Sequence, residues 1–197
     1  MTRVLLFAKA PRLGFVKTRL ARDMGAERAL DIYRMIGRNV AASVAKEYPL
    51  TVWYDPSDAE PEMRRWLGDF EFRSQVGEDL GERMAFAFRE HFGRGESPVM
   101  AIGADAPGVS AVTISEAATI LGHADVVLGP AFDGGYYLLG SHALHERLFH
   151  GIPWGTRIVR QVTEQRCRDL DLTVGHLAVQ RDVDTEEDVQ ALGMRHT

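Results

Sequence analysis

The chain alternates between short runs of apolar residues and longer segments in which apolar residues recur every three or four positions. The short runs have the length and composition of strands that are buried on one or both faces. From them we predict strands at residues 3–8, 49–54, 70–76, 98–104, 125–131, 135–140 and 172–179. The polar residues that follow these runs therefore mark the strand ends.

The longer segments carry the period of amphipathic helices. In residues 26–46 the apolar positions on one helix face are Leu30, Tyr33, Ile36, Val40 and Val44. We predict further helices at residues 18–25, 62–67, 80–92 and 156–168, one that ends near residue 121, and one after residue 185. The predicted N-caps are Thr18, Ser110 or Thr113, Thr156 and Thr185. A hydroxyl oxygen in that place can accept a hydrogen bond from a first-turn N–H group.

Strands that alternate with helices along a chain are typical of an α/β sandwich with a largely parallel sheet. The length of 197 residues fits a single domain over residues 1–197 with a sizeable buried core. In such folds ligands bind beyond the carboxyl ends of the strands, so the chemistry is expected there.

The composition, 45% hydrophobic and 26% charged, is that of a globular protein. The apolar runs are too short to cross a membrane, and no long apolar segment resembles a signal peptide, so we expect a cytoplasmic location. The single cysteine, Cys167, excludes an internal disulfide and a cysteine-based zinc cluster.

The net charge of −5 argues against a nucleic-acid-binding protein, but the charge is unevenly placed. Residues 1–22 hold six basic side chains and no acidic one. Residues 23–197 therefore carry −11, since 17 of the 23 Lys and Arg residues remain against 28 acids. Such an asymmetry suits a small anionic ligand better than a polyanion.

The basic residues near the start lie in a loop that leads directly into a predicted helix. Cations at a helix N-terminus oppose the helix dipole unless an anion is present. A phosphate group would convert that cost into charge-assisted hydrogen bonds, and a glycine lets the backbone approach it. The predicted phosphate-binding residues are Lys9, Arg12, Gly14, Lys17 and Arg19. The alternative is a basic loop in contact with solvent alone.

Aspartates follow three other predicted strands: Asp105, Asp133, and the pair Asp182 and Asp184. If these strand ends converge, the carboxylates can bind Mg²⁺ or Mn²⁺ beside a diphosphate, because hard cations take oxygen ligands. Each aspartate alone could instead be a turn former or an N-cap, and for Asp182 we prefer that interpretation. Asp105 and Asp184 are the predicted metal ligands.

Several stretches, in order over nearly the whole chain, carry a family resemblance. They are AKAPRLGFVKTRLA, GEDLGERM, GADAP, LGPAFDGGYYLLG, IPWGT and DVDTEED. Together they resemble the small glycosyltransferase-like proteins, of the type called DUF2064, in the nucleotide-diphospho-sugar transferase superfamily. Some members of this group are assigned to arsenosugar biosynthesis. The KTRL and DVDT pieces are also similar to guanylyltransferases that make the deazaflavin cofactor F420 and, more distantly, the molybdenum cofactor.

The resemblance implies a GT-A fold, a Rossmann-like three-layer α/β/α sandwich that binds a nucleotide in its N-terminal half. Residues 6–17 would then hold the base and the phosphates. Asp105 would do the work of the family's Asp-x-Asp metal motif, although Ala-Pro follows it here. Asp184 would be the second metal ligand. Asp133 would lie near the acceptor or the transferred group and, if the transfer inverts configuration, act as the catalytic base.

The leading hypothesis is the metal-assisted transfer of a glycosyl group from a nucleotide-diphospho-sugar to a small hydroxyl acceptor. The alternative is a nucleotidyltransferase that uses a nucleoside triphosphate and releases pyrophosphate, since both reactions need the same phosphate clamp. A third possibility is a non-catalytic nucleotide-binding module. The expected partners are a nucleotide-sugar or a nucleoside triphosphate and a small-molecule acceptor, with no nucleic acid. The sequence leaves the oligomeric state open.

Overall fold

The computed structural model describes residues 1–193, and its strands form one seven-stranded sheet. The strands are β1 (Arg3–Lys9), β2 (Leu50–Asp55), β3 (Glu71–Ser74), β4 (Val99–Gly103), β5 (Val126–Pro130), β6 (Tyr136–Ser141) and β7 (Val174–His176). Their order across the sheet is β3-β2-β1-β4-β6-β5-β7. Only β6 runs antiparallel to its neighbours, β4 and β5. The prediction of a mixed, mostly parallel sheet is confirmed.

Seven α-helices are present in the described residues. They are α1 (Thr18–Met24), α2 (Ala26–Val44), α3 (Glu60–Leu67), α4 (Leu80–Gly93), α5 (Ala111–Leu121), α6 (Val159–Asp169) and α7 (Glu186–Ala191). A short 3₁₀ turn, Glu146–Leu148, precedes α6. Each predicted helix is present, although α6 begins three residues later than expected.

Helices cover both faces of the sheet and make it the middle of three layers. Leu6 of β1 belongs to the hydrophobic cluster that contains Ile36 of α2 and Ile114 of α5. The next residue toward the N-terminus, Leu5, belongs to the opposite cluster with Phe88 of α4. Successive strand side chains point to opposite faces, so a central strand with helices on both sides is apolar throughout. This explains the unbroken apolar run at the start of the chain, and the three-layer α/β/α sandwich is confirmed.

Two of the predicted caps are confirmed. Ser110 caps α5 in a reciprocal pair with Thr113, and Thr185 caps α7 in a reciprocal pair with Asp188. Such paired caps satisfy N–H groups that have no partner within the helix.

The predictions that Thr18 and Thr156 are N-caps are wrong. Thr18 is already the first residue of α1, and the preceding Lys17 occupies the cap position without a side-chain cap bond. Thr156 donates its hydroxyl to the carbonyl of Pro153 at 2.7 Å, two residues before the cap of α6 at Ile158. Arg157, between Thr156 and α6, instead lies against the turn that carries Asp133.

Within residues 1–193 no helix is both long enough and apolar enough to cross a membrane. The cytoplasmic location and the single domain over residues 1–197 stay predictions. The last four residues of that predicted domain, 194–197, lie outside the described part of the chain.

Candidate active site

A cavity of about 670 Å³ opens at the edge of the sheet where β1 and β4 end. Its size suits a ligand as large as a nucleotide-sugar. The loop after β1, the start of α4, the turn before β6 and the loop before α6 all contribute to its wall. The predicted site residues in the wall are Lys9, Lys17, Arg19, Asp105, Asp133 and Asp184. The expected convergence of the strand ends therefore occurs.

Lys17 lies at the centre of this convergence. Its ammonium donates to Asp105 Oδ2 at 2.8 Å and to Asp184 Oδ1 at 3.1 Å. The Lys17 side chain is 4% exposed, whereas those of Asp105 and Asp184 are 47% and 37% exposed. The two carboxylates that we predicted as metal ligands thus share one buried ammonium and keep a face toward the cavity.

The backbone at Lys17 explains how its side chain reaches inward. Lys17 has φ 49° and ψ 46°, a left-handed conformation that is uncommon for residues other than glycine. This conformation turns the chain from the loop into α1. A residue held in such a state usually reflects a constraint from its surroundings, and here the two ion pairs supply that constraint.

The ion pairs also set the protonation of these groups. Burial alone would lower the pKa of Lys17, but the attraction of Asp105 and Asp184 outweighs it and leaves that pKa raised. Desolvation would raise the pKa of Asp105, but its contact with Lys17 outweighs that effect and holds the pKa below its usual range. Both groups are therefore charged at neutral pH.

Gly103, at the end of β4, makes room for the Asp105 carboxylate. A Cβ atom at Gly103 would lie 2.8 Å from Asp105 Oδ1, closer than ordinary contact. The other oxygen of this carboxylate, Oδ2, is the one that binds Lys17. The glycine thus allows the carboxylate to fold back against the strand end.

Asp133 lies on the turn between β5 and β6, on another wall of the same cavity. Its Oδ1 accepts a hydrogen bond from the N–H of Gly135 at 2.8 Å. The turn is fixed from outside, because the carbonyl of Gly134 accepts from the N–H of Arg160 at 3.0 Å. Gly134 has φ +90° and leaves no room for a Cβ, which would lie 1.9 Å from the carbonyl oxygen of Arg157. The position of Asp133 therefore depends on the first turn of α6 and on the chain just before it.

The start of α4 forms the opposite rim of the cavity. Asp79 caps this helix by accepting from the N–H of Glu82 at 2.8 Å. Arg83 donates to the carbonyl of Gly77 at 3.0 Å, and its guanidinium lies 3.5 Å from Asp55. Gln75 donates to the carbonyl of Trp53 at 2.9 Å. The contacts with Trp53 and Asp55 tie the rim to β2.

Two of the predicted phosphate-binding residues are not in the cavity wall. Arg12 points to α3, where it pairs with Glu62 at 2.9 Å, and to the loop before α3, where it pairs with Asp58 at 3.3 Å. Gly14 has φ +79° and serves the turn of the loop rather than an approach to the cavity. The basic loop therefore divides, with Lys9, Lys17 and Arg19 in the cavity wall and Arg12 directed away from it.

Sequence reasoning undervalued Asp182 and Tyr33. Burial is the main cause, and the negative charge of Asp105 the second, that raises the pKa of Asp182 to about 7. Asp182, for which we prefer the role of a turn former, therefore interacts electrostatically with the site. Tyr33, which we assigned to the core face of α2, accepts from the N–H of Lys9 and donates to its carbonyl, both at 3.0 Å. A hydroxyl on an otherwise apolar helix face was the available signal for Tyr33, because a buried hydroxyl needs a partner.

The charges of the cavity wall nearly cancel. Among the described residues the wall holds four cationic side chains, Lys9, Lys17, Arg19 and Arg83. It also holds five carboxylates, those of Glu78, Asp79, Asp105, Asp133 and Asp184. The local excess of positive charge that the sequence suggests is therefore balanced by acids from later in the chain.

The same groups allow a test of whether a divalent cation fits. Within the described residues no group of three or more His, Cys, Asp or Glu side chains is arranged to hold a metal ion. Asp105 and Asp184, however, converge on one point and remain partly exposed to the cavity. Two carboxylates suffice for Mg²⁺ or Mn²⁺ when substrate phosphates supply the other ligands. The residues fit a cation that two carboxylates hold, with water or substrate phosphates as its remaining ligands.

Comparison with known proteins identifies the family. Residues 39–156 match the family described as "Uncharacterized protein conserved in bacteria (DUF2064)". The chain belongs to this family. The resemblance that the sequence motifs indicate is thereby confirmed. No curated protein matches this DUF2064 chain by sequence.

Solved structures with a similar fold include one relative of higher identity. A protein from Desulfovibrio desulfuricans G20, provisionally named a nucleotide-diphospho-sugar transferase, is 36% identical, with a TM-score of 0.92 over 97% of this chain and 85% of its own. The fold is also that of CMP:2-keto-3-deoxy-manno-octonic acid synthetase in complex with CTP, at 11% identity, a TM-score of 0.60 and 98% of each chain. Rv0371c from Mycobacterium tuberculosis H37Rv, in complex with manganese, is 14% identical, with a TM-score of 0.55 over 98% of each chain. The first of these structures supports the expected class, a transferase, and the other two share the fold.

Proposed function

We propose that this DUF2064 protein transfers a glycosyl group from a nucleotide-diphospho-sugar to a hydroxyl group of a small acceptor. The observation that carries the proposal is the meeting of Lys17, Asp105 and Asp184 at one point, in a cavity that Asp133 also lines. The identity of 36% to a protein named for nucleotide-diphospho-sugars supports the donor class. The cavity volume of about 670 Å³ leaves room for both substrates.

In this proposal Lys9, Lys17 and Arg19 bind the diphosphate. Arg19 is 70% exposed and lies 3.7 Å from Asp184, so it can turn toward a ligand at small cost. Because carboxylates balance the cations of the wall, a diphosphate needs an additional positive charge to bind well. Asp105 and Asp184 would hold Mg²⁺ or Mn²⁺ for this purpose. A bound divalent cation would neutralise charge that develops on the departing diphosphate.

The transfer step needs a base, and in this proposal Asp133 is that base. One oxygen of Asp133 accepts a hydrogen bond from the N–H of Gly135, and the residue lines the cavity. In the step, the acceptor oxygen forms a bond to the anomeric carbon while the bond from that carbon to the diphosphate oxygen breaks. Asp133 takes the acceptor proton, and the diphosphate leaves with the bonding electron pair.

A second candidate is nucleotidyl transfer, and the fold shared with a synthetase that binds CTP favours it. Here the same cations would hold a triphosphate, the acceptor would attack its α-phosphate, and pyrophosphate would leave. The two candidates differ in donor and by-product rather than in the groups that bind phosphate.

The deciding experiment measures products. The protein is incubated with each nucleoside triphosphate and each common nucleotide-sugar, with and without Mn²⁺, and nucleoside diphosphate and pyrophosphate are quantified by mass spectrometry. We expect metal-dependent release of nucleoside diphosphate from one nucleotide-sugar. Release of pyrophosphate from a triphosphate would overturn the proposal in favour of nucleotidyl transfer.

Matched variants then test the residues. Arg19→Ala is expected to weaken binding of the nucleotide-sugar by about tenfold, the usual scale of one charge-assisted contact. Arg12→Ala is the control, because it removes the same charge from the same loop but from outside the cavity. Asp133→Asn is expected to bind the donor as before and to lose turnover by about 10²-fold or more. Equal effects of Arg12→Ala and Arg19→Ala would contradict the phosphate assignment.

A further inference from the structure

The contacts of Lys17 raise a question that the proposed function leaves open. A phosphate-binding lysine is expected to present its ammonium to the cavity, but the Lys17 side chain is 4% exposed. Its Nζ lies between Asp105 Oδ2 and Asp184 Oδ1. The ammonium therefore occupies the place between the two predicted metal ligands.

The remaining oxygens of these carboxylates face other groups. Asp105 Oδ1 lies against Gly103, where even a Cβ atom would crowd it. Asp184 Oδ2 lies 3.7 Å from the guanidinium of Arg19. A divalent cation bound by both carboxylates together would therefore use the oxygens that Lys17 now holds. Two cations cannot share that point, because their repulsion at such short range is strong.

We propose that Lys17 is a built-in counter-ion that holds Asp105 and Asp184 together in the metal-free protein and is displaced when a divalent cation binds. The proposal rests on the proposed function, from which it takes the metal ligands. On displacement the ammonium moves into the cavity, where it meets the diphosphate. Lys17 thus acts as a positioning residue before substrate arrives and as a phosphate ligand afterwards.

The arrangement has a physical advantage. Two carboxylates that converge without a cation repel each other, and the repulsion would spread the metal ligands apart. An internal ammonium removes that repulsion and preserves the spacing. The left-handed backbone at Lys17, φ 49°, directs the side chain to this point.

The wild-type protein offers a direct test, because its lysines number three: Lys9, Lys17 and Lys46. Brief acetylation with a water-soluble reagent, followed by mass spectrometry of peptides, gives the reactivity of each. Without metal we expect Lys17 to react slowly, while the exposed Lys9 and Lys46 react freely. With saturating Mn²⁺ the modification of Lys17 should rise by about fivefold or more, since reactivity follows the loss of its ion pairs. Lys9 and Lys46 serve as internal controls.

Variants provide a second readout, the affinity for Mn²⁺ alone, measured from the electron paramagnetic resonance signal of the free ion. Lys17→Met should bind Mn²⁺ about tenfold more tightly than the wild type, because it removes the competing charge. Lys9→Met removes a charge from the same cavity wall but not from between the carboxylates, so its affinity should change much less. Lys17→Arg keeps the charge and should not gain affinity.

The outcomes separate the two proposals. If Mn²⁺ binds the wild type and Lys17 stays unreactive, or if Lys17→Met gains no affinity for Mn²⁺, the proposed displacement of Lys17 is wrong and the proposed metal site stands. If neither the wild type nor Lys17→Met binds Mn²⁺, with or without nucleotide-sugar, the metal assignment is wrong, and the proposed displacement of Lys17 is then wrong as well. The acetylation result holds even if Lys17→Met fails to fold, because it uses the wild-type chain.

Discussion

Substitution of Gly103 by alanine perturbs the site while it leaves the core alone. The added Cβ would lie 2.8 Å from Asp105 Oδ1, and the next neighbour is the N atom of Asp105 at 4.0 Å. Ordinary contact begins at 3.4 Å, so the carboxylate must move by about 0.6 Å. A shift of that size along the bond would lengthen the Lys17–Asp105 contact from 2.8 Å to about 3.4 Å, beyond the usual hydrogen-bond range.

The two consequences of Gly103→Ala differ in size. Replacing a strand glycine by alanine gains about 0.5–1 kcal/mol in folding free energy. The weakened contact of a half-exposed carboxylate costs about 1 kcal/mol, so the free energy of unfolding should stay within about 1 kcal/mol of the wild type. Binding depends on the carboxylate position itself, and we expect the affinity for nucleotide-sugar with Mn²⁺ to fall by about tenfold.

The assay for this prediction pairs titration calorimetry with unfolding in urea. Gly93→Ala is the matched control, because Gly93 lies at the end of α4 with open space around its Cβ position. It should leave the affinity unchanged. Wild-type affinity in Gly103→Ala, with the fold intact, would refute the role assigned to Asp105.

Three further predictions concern groups around the site and in the core. Gly134→Ala should lose about 3 kcal/mol of stability in urea unfolding, because the left-handed φ and the clash with the carbonyl of Arg157 both penalise a side chain. A loss below about 1 kcal/mol, with the same dependence of the unfolding free energy on urea concentration in both proteins, would contradict this prediction. Burial, and then the charge of Asp105, raise the pKa of Asp182 from 3.8 to about 7, so the wild type should lose stability as the pH rises through that window, and Asp182→Asn should remove that loss. Thermal unfolding curves of the two proteins that shift in parallel from pH 4 to pH 8 would refute the assignment. Burial raises the pKa of Cys167 to about 11, and the side chain is fully buried, so a thiol reagent at pH 8 should modify the protein only after unfolding; rapid modification of the folded protein would contradict the packing of α6.

The fold and the convergence of the site were predictable because they depend on patterns that repeat along the chain. Parallel strands bring their carboxyl ends to one edge, so residues that follow strands meet whatever the details of the loops. Lys17, Asp105 and Asp184 meet for this reason. The capping of α5 by Ser110 was predictable too, because the cap and its partner are three residues apart.

The features that sequence reasoning did not anticipate depend on contacts that no local pattern carries. Arg12 turns away from the cavity because Glu62, fifty residues later, accepts from its guanidinium. Thr18 fails as a cap because Lys17 adopts a left-handed conformation, which a lysine rarely does without partners like Asp105 and Asp184. The role of Asp182 likewise arises from burial and from carboxylates that other strands bring near it.

The most direct test of the central claim is a crystal structure with Mn²⁺ and the nucleotide-sugar that the product assay identifies as the donor. The account predicts the metal on Asp105 and Asp184, and the diphosphate within hydrogen-bond distance of Lys17 and Arg19. A diphosphate bound elsewhere, with the ammonium of Lys17 still between the two carboxylates, would contradict it.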